Sequence, residues 1–161
     1  MLEVIKQVDY FHVAVADRPG EGARLLATFE RAGINFLAFS GFPRGLHAAQ
    51  FDFVPEDTDA FIKAAKAARI VLSEKKTAFL IQGSDSPGRV AEMASKLAEA
   101  EINVIAAQVL CAGGGRYGGI VWVAQADVAE AAKALASSSS DQVDLASDDS
   151  FPASDAPPWT P

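Results

Sequence analysis

One cysteine and two histidines are the only soft or borderline metal ligands, and the only obvious activated-nucleophile pair, that this chain of 161 residues carries. Cys111 ends an apolar run, "INVIAAQVLC", and His12 lies inside another, "YFHVAV". A zinc or copper site needs several such ligands close together, and a Cys–His pair needs its members within hydrogen-bond reach. Nothing in the spacing promises either. A cysteine at the end of an apolar run is by default a buried, inert thiol. "AGGGRYGG" has the glycines of a phosphate loop but not its Lys-Ser/Thr ending, and no helix pattern follows. Lying between two strand patterns, it reads as a hairpin turn. Glu92, Lys96 and Glu99 fall at helical spacing and describe a solvated face. The expectation is therefore of no catalytic residues, no metal, no cofactor and no enzyme.

What the chain does carry is one signature twice. "DRPGEGARLLATFERAGIN" (17–35) aligns without a gap to "DSPGRVAEMASKLAEAEIN" (85–103), and Asp, Pro, Gly, Ile and Asn recur in register. The sequence around each copy follows one order. "YFHVAV" is a strand, with Phe11, Val13 and Val15 on one face and Tyr10, His12 and Ala14 on the other. Pro19 presets the first helical turn, Asp17 is a candidate cap, and Leu25, Leu26, Phe29 and Ala32 point to a core until Gly33 ends the helix. "INFLAFSGF" and "HAAQFDFV" are strands about the turn "PRGL". "EDTDAFIKAAKAA" is a helix capped by Asp57 or Thr58, and "RIVL" is a short last strand. The second copy runs "TAFLIQG", a helix from Pro87 to Ala100, "INVIAAQVLC", "IVWVAQA", and a helix "DVAEAAKALA" capped by Asp127.

This is β-α-β-β-α-β twice, the split β-α-β or ferredoxin-like topology, an α+β class with antiparallel sheets and helices on one face. The domains expected are 1–73 and 74–136, followed by an acidic Ser/Pro-rich tail, 137–161, of disorder-prone composition. The second copy lacks a clear last strand. "DQVDL" is a weak candidate, and the N-terminal "LEVIK" is another partner for that edge. Both faces of "INFLAFSGF" are apolar, as Phe36, Ala38 and Phe42 alternate with Leu37 and Phe39. The open sheet face should thus pack on another sheet, from the sister domain or from a second chain, with a homodimer the simplest arrangement.

Half of the residues are apolar and the formal charge is −7. Five Asp and no Lys or Arg lie beyond Ala136, which leaves 14 basic against 16 acidic groups before it. A near-neutral body with an acidic tail is not the footprint of a nucleic-acid or anionic-membrane binder. A single cysteine permits no internal disulfide, no apolar run reaches about 18 residues, and the N-terminus lacks a signal-peptide pattern. A cytoplasmic protein is expected.

A strand, then Asp-x-Pro-Gly opening a helix, then Gly-Ile-Asn opening the next strand, resembles the ACT domain, a small ligand-binding module attached to amino-acid-regulated enzymes. The resemblance spans about Val8 to Ala136 in two copies. The first is the better match; the second has Glu101 where the family often has Gly. Free-standing pairs of this kind resemble small bacterial ACT proteins, including a type that represses glycine-cleavage genes. The resemblance implies an amino-acid site between domains. One lip is the strand-to-helix loop, Asp17, Arg18 and Gly20, or Asp85, Ser86 and Gly88. The other is the start of the second strand, Asn35 or Asn103. The physics agrees. Helix N-termini offer free N–H groups to a carboxylate, glycine permits close approach, Asp17 or Asp85 suits an ammonium group, and Asn both donates and accepts. Helix capping by Asp17 and Asp85 is the competing role. The resulting expectation is a regulatory, non-catalytic protein sensing an amino acid or similar metabolite. The alternative is a ligand-free subunit docking on an enzyme or transcription factor through its apolar sheet face or its Phe151–Trp159 peptide.

Overall fold

The computed structural model describes residues 4–137. "DQVDL" and the Phe151–Trp159 peptide lie outside them. Six strands and four helices alternate as β1 (Val4–Ala16), α1 (Glu21–Arg31), β2 (Phe36–Pro43), β3 (Ala48–Pro55), α2 (Thr58–Ala67), β4 (Lys76–Ser84), α3 (Arg89–Glu99), β5 (Val104–Gly113), β6 (Arg116–Val123) and α4 (Val128–Ala136). A single 3₁₀ turn, Gln125–Asp127, precedes α4. The fold is α+β, with one antiparallel sheet in the order β2-β3-β1-β4-β6-β5.

The 13-residue β1 is longer than its "YFHVAV" centre because it serves both halves. Phe11–Ala16 pair with Phe53–Ala48 of β3, while Val4–Tyr10 pair with Gln82–Lys76 of β4. The N-terminal stretch therefore fills the vacant edge of the second half, with Val4, Ile5 and Lys6 opposite Gln82, Ile81 and Leu80. "RIVL", by contrast, is not a strand. Arg69 sits in the left-handed region and ends α2, and Ile70 and Leu72 pack half-buried against the first core. Beyond them the Ser73 N–H donates to the His12 carbonyl at 2.9 Å, but the His12 N–H turns to the Ser73 hydroxyl at 3.0 Å. A side chain takes the bond a strand would take, so the ladder is not continued.

Alternation along the strands produces three cores. Phe11, Val13, Leu25, Phe29, Phe53 and Phe61 lie under α1 and α2, and Phe79, Ile81, Met93, Leu97, Val121 and Leu135 under α3 and α4. Of the residues expected on α1, Leu25 and Phe29 are buried and Leu26 is half-buried, but Ala32 is exposed because it is already the C-cap. The third core, Val8, Val54, Ala78, Ile120 and Trp122 with Tyr10, Ala38 and Leu80, joins the opposite face of both halves. A flat six-stranded sheet would hold its outer strands about 24 Å apart. Here Ser40 on β2 donates to Gln108 on β5 at 3.1 Å. The sheet is curled, and its own two ends approach across the open face.

The helix starts depart from expectation. In both copies the Pro-Gly pair forms a turn before the helix, closed by Glu21 N–H to the Arg18 carbonyl and Arg89 N–H to the Ser86 carbonyl, each at 3.4 Å. Gly20 (φ 94, ψ −17) and Gly88 (φ 92, ψ −12) occupy the N-cap and receive no side-chain cap. These are the angles of the third residue of a type II turn, which favours Pro then Gly at its centre. Asp17 and Asp85 are thus not caps. Nor is Asp127, whose side chain makes no cap bond because the 3₁₀ turn runs straight into α4. Asp57 is one: it accepts from Ala60 N–H at 2.9 Å. The "AGGGRYGG" turn is also tighter than its glycines suggest, as β5 ends at Gly113, β6 starts at Arg116, and Gly114–Gly115 alone turn the chain at φ 58 and 69.

Three helices end alike. Gly33, Arg69 and Glu101 have φ 71, 57 and 58, and the next residue's N–H reaches back five residues, from Ile34 to Phe29, Ile70 to Ala65 and Ile102 to Leu97. This is a Schellman close, whose left-handed residue is best Gly. Glu101→Gly and Arg69→Gly should each raise stability by about 0.5–1 kcal/mol, the left-handed strain relieved less the extra chain entropy of glycine. Gly33→Ala should lower it by a similar amount. Urea unfolding of the three variants checks both signs.

Candidate functional site

The doubled loops lie at the C-terminal ends of β1 and β4. Asp17, Arg18 and Gly20 are exposed, as are Asp85, Ser86 and Gly88. The backbone N–H of Asp17 donates to the His47 carbonyl at 3.0 Å, and that of Asp85 to the Gly115 carbonyl at 2.8 Å. Each loop is therefore pinned to the neighbouring hairpin while its carboxylate faces outward. Asp85, Ser86 and Gly88 line a hollow of about 470 Å³ with Arg89, Cys111 and Tyr117. Cys111 corrects the expectation of a buried thiol: it is exposed, since β5 is an edge strand with no neighbour to cover it.

Asn35 and Asn103 immediately precede β2 and β5, past the far ends of α1 and α3. An 11-residue helix rises about 16 Å, so neither Asn meets the loop of its own half. Asn35 lines a hollow of about 480 Å³ with Glu30, Gly33 and Phe36, and its amide donates to Glu56 Oε2 at 2.9 Å. Asn103 is exposed. The two lips are separate features of this chain; a second surface would have to bring an Asn against a loop.

The curl of the sheet creates a cavity that the sequence did not announce. About 730 Å³ in volume, it lies on the open face between the halves and is lined by residues of β1, β2, β3, β5 and β6 together with Arg44 and Lys76. Strand register sets its polar centre, since Asp52 faces His12 on one side and Ser40 on the other. Asp52 is only 6% exposed, and its Oδ1 accepts from Gln50 Nε2 at 2.8 Å. Gln50 Oε1 in turn accepts from Arg44 Nη1 at 2.8 Å. Trp122 stands edge-on to Tyr10, ring centres 6.3 Å apart. Its indole nitrogen is buried without a hydrogen-bond partner among the described residues.

Burial dominates the electrostatics. It raises the Asp52 carboxyl above its ordinary range, against the pull of the Gln50 hydrogen bond and the charges of His12, Lys76 and Arg44. Burial first and Lys76 second push His12 below its usual value, against the pull of Asp52. Tyr10 is raised by burial and then by Asp52.

These residues escaped the sequence reading because Gln50 and Asp52 look like ordinary solvent-facing positions in "HAAQFDFV". The available signal was the comparison of copies. With the offset of 68 that separates Ser40 from Gln108, His12, Gln50 and Asp52 correspond to Leu80, Gly118 and Ile120, and the paired registers correspond too. Among the described residues no group of three His, Cys, Asp or Glu is placed to hold a metal, and no helix is long and apolar enough to cross a membrane.

A group whose pKa rises on folding contributes stability that is complete below its unfolded value and is lost as pH rises through the folded one. Asp52 is such a group, so its ionisation opposes the fold at neutral pH. Asp52→Asn should melt higher than the wild type at pH 7, and the gap should close as pH falls below the ordinary 3.8. Melting curves of both proteins across pH 3–8 check the sign.

No family model matches the sequence, and no curated protein matches it. Solved structures do match the fold. A protein from Bacteroides thetaiotaomicron has a TM-score of 0.70 at 12% identity, over 81% of this chain and 88% of that one. The regulatory subunit of aspartate kinase from Thermus thermophilus scores 0.57 at 18% identity, over 83% and 93%. That from Thermus flavus scores 0.51 at 18%, over 83% and 94%. At such identities the likeness is one of fold, which is ACT-like and ferredoxin-like.

Proposed function

We propose that this chain is a non-catalytic regulatory protein, built from two ACT-like units at 1–73 and 74–136, that binds an amino acid or similar small metabolite. The observation that carries the reading is the doubled loop. Twice, a type II turn leaves a helix N-terminus without a side-chain cap, beside an outward carboxylate. Freed from capping, Asp17 and Asp85 are available to an ammonium group, and the uncapped N–H groups to a carboxylate. The fold shared with aspartate kinase regulatory subunits supports a regulatory role for such loops.

Asp17, Arg18 and Gly20, or Asp85, Ser86 and Gly88, form one lip in this reading. Asn35 or Asn103 of a second copy forms the other, which makes a cytoplasmic homodimer the working unit. The edges of the sheet suit such pairing. Among the described residues β2 and β5 each have one unpaired side, and Leu37, Phe42, Ile105 and Leu110 are exposed along them. The same exposed edges favour a second reading, a ligand-free subunit docking on an enzyme or regulator.

Two measurements decide between them. Titration calorimetry of the purified protein against the proteinogenic amino acids should find at least one that binds saturably. Asp17→Ala with Asp85→Ala should weaken it about tenfold or more, a loss of about 1.4 kcal/mol. No heat and no thermal shift with any of them would end the amino-acid reading and leave the docking one. Light scattering should give the mass of a dimer for the wild type, and of a monomer once Ile105→Lys and Leu110→Lys charge the β5 edge. A monomeric wild type would remove the partner lip.

A further inference from the structure

We propose that the cavity on the open sheet face is a second binding site, for a small organic acid with a flat apolar body. It is separate from the doubled loops and does not rest on them. Its volume of about 730 Å³ lies within the range of small-molecule pockets. The indole N–H of Trp122 asks for an acceptor. An indole nitrogen only donates, this one belongs to a residue 7% exposed, and it has no partner among the described residues. A buried donor left unpaired costs about 1–3 kcal/mol, and this one sits on a side chain that lines the cavity.

Charge selects the kind of oxygen. Arg44 and Lys76 bring two positive charges to the lining, against the single carboxylate of Asp52. Gln50 engages one nitrogen of Arg44 and leaves the rest of the guanidinium fork. The balance favours an anion over a neutral or cationic guest. It also disfavours a free amino acid, because Asp52 already receives the Gln50 amide and is held in surroundings that oppose its charge. Tyr10, Phe42, Ile105 and Trp122 supply apolar walls for a flat body.

The duplication separates this polar set from the needs of the fold. Leu80, Gly118 and Ile120 stand where the first half has His12, Gln50 and Asp52, at equivalent pairings. The second half builds the same sheet without buried charge. The first half keeps Asp52 at a cost to stability that building the same sheet does not require.

The test uses the full chain with Trp159→Phe, which leaves Trp122 as the one remaining indole of the two in the sequence. Benzoate and phenylacetate are titrated beside their neutral amides, by tryptophan emission and by calorimetry. At least one acid should change the emission saturably and bind about tenfold or more tighter than its amide. Lys76→Met and Trp122→Phe, followed by calorimetry with melting temperatures checked, should each weaken that acid about tenfold. Asp17→Ala with Asp85→Ala should leave it unchanged, which keeps this result distinct from that at the loops. The site is refuted by the absence of a saturable response up to about 10 mM, as a cavity holding only water would give. Equal binding of acid and amide, or unchanged affinity in Lys76→Met, refutes it as well; the latter variant alone decides if Trp122→Phe does not fold.

Discussion

The pairing of β1 on both sides, over different stretches, is the constraint from which the rest of the molecule follows. A strand pairs only where backbone donors and acceptors face each other. β1 spends Phe11–Ala16 on β3 and Val4–Tyr10 on β4. Asp9 and Thr77, which occupy equivalent places in the two copies, face each other in that ladder. The halves are therefore related about a point inside the sheet rather than across a linker. From there the sheet curls until Ser40 meets Gln108, another equivalent pair. The two contacts mark the ends of one approximate two-fold axis, and the cavity lies between them.

The symmetry holds for the backbone and breaks in the side chains. The first helix-side core is aromatic, with Phe29, Phe36, Phe53 and Phe61 in mutual ring contact. The second is mostly aliphatic, with Leu97, Val104 and Val121 at corresponding places. Both satisfy the same volume demand by different shapes, as cores generally permit. The open face differs more sharply, since one half presents Asp52 and His12 where the other presents Ile120 and Leu80. A frame that tolerates either choice does not dictate the charged one.

Fold class, the element order apart from "RIVL", and the pairing of Val4–Lys6 from "LEVIK" were legible because period-two and helical spacing are local signals, and because two copies reinforce each other. The caps were misread for an equally local reason. Asp-x-Pro-Gly satisfies the composition of a capped helix and of a type II turn alike, and only Gly20 and Gly88 in the left-handed region separate them. "RIVL" has strand composition, but the hydroxyl of Ser73 intercepts the ladder. Cys111 looked buried because its run is apolar, whereas burial depends on the neighbour that an edge strand lacks. The apolar open face did announce that something must cover it. That its cover is the chain's own other half depends on curl, which no periodicity encodes. The cavity's residues were illegible for the same reason: they come from strands on both sides of the axis.

The shared strand has a consequence for the order of events in synthesis. Val4–Tyr10 are synthesised well before their hydrogen-bond partners, Lys76–Gln82. At about 5–20 residues per second, that edge waits several seconds for its complement. During the wait it is an unpaired strand, open to whatever edge it meets. The first half can gather its own core once β3 and α2 have emerged. The second half cannot close before β4 and β6 have emerged beside a strand made well before them. The ladder that joins the two copies therefore pairs strands far apart in the chain, a non-local contact of the kind that forms slowly.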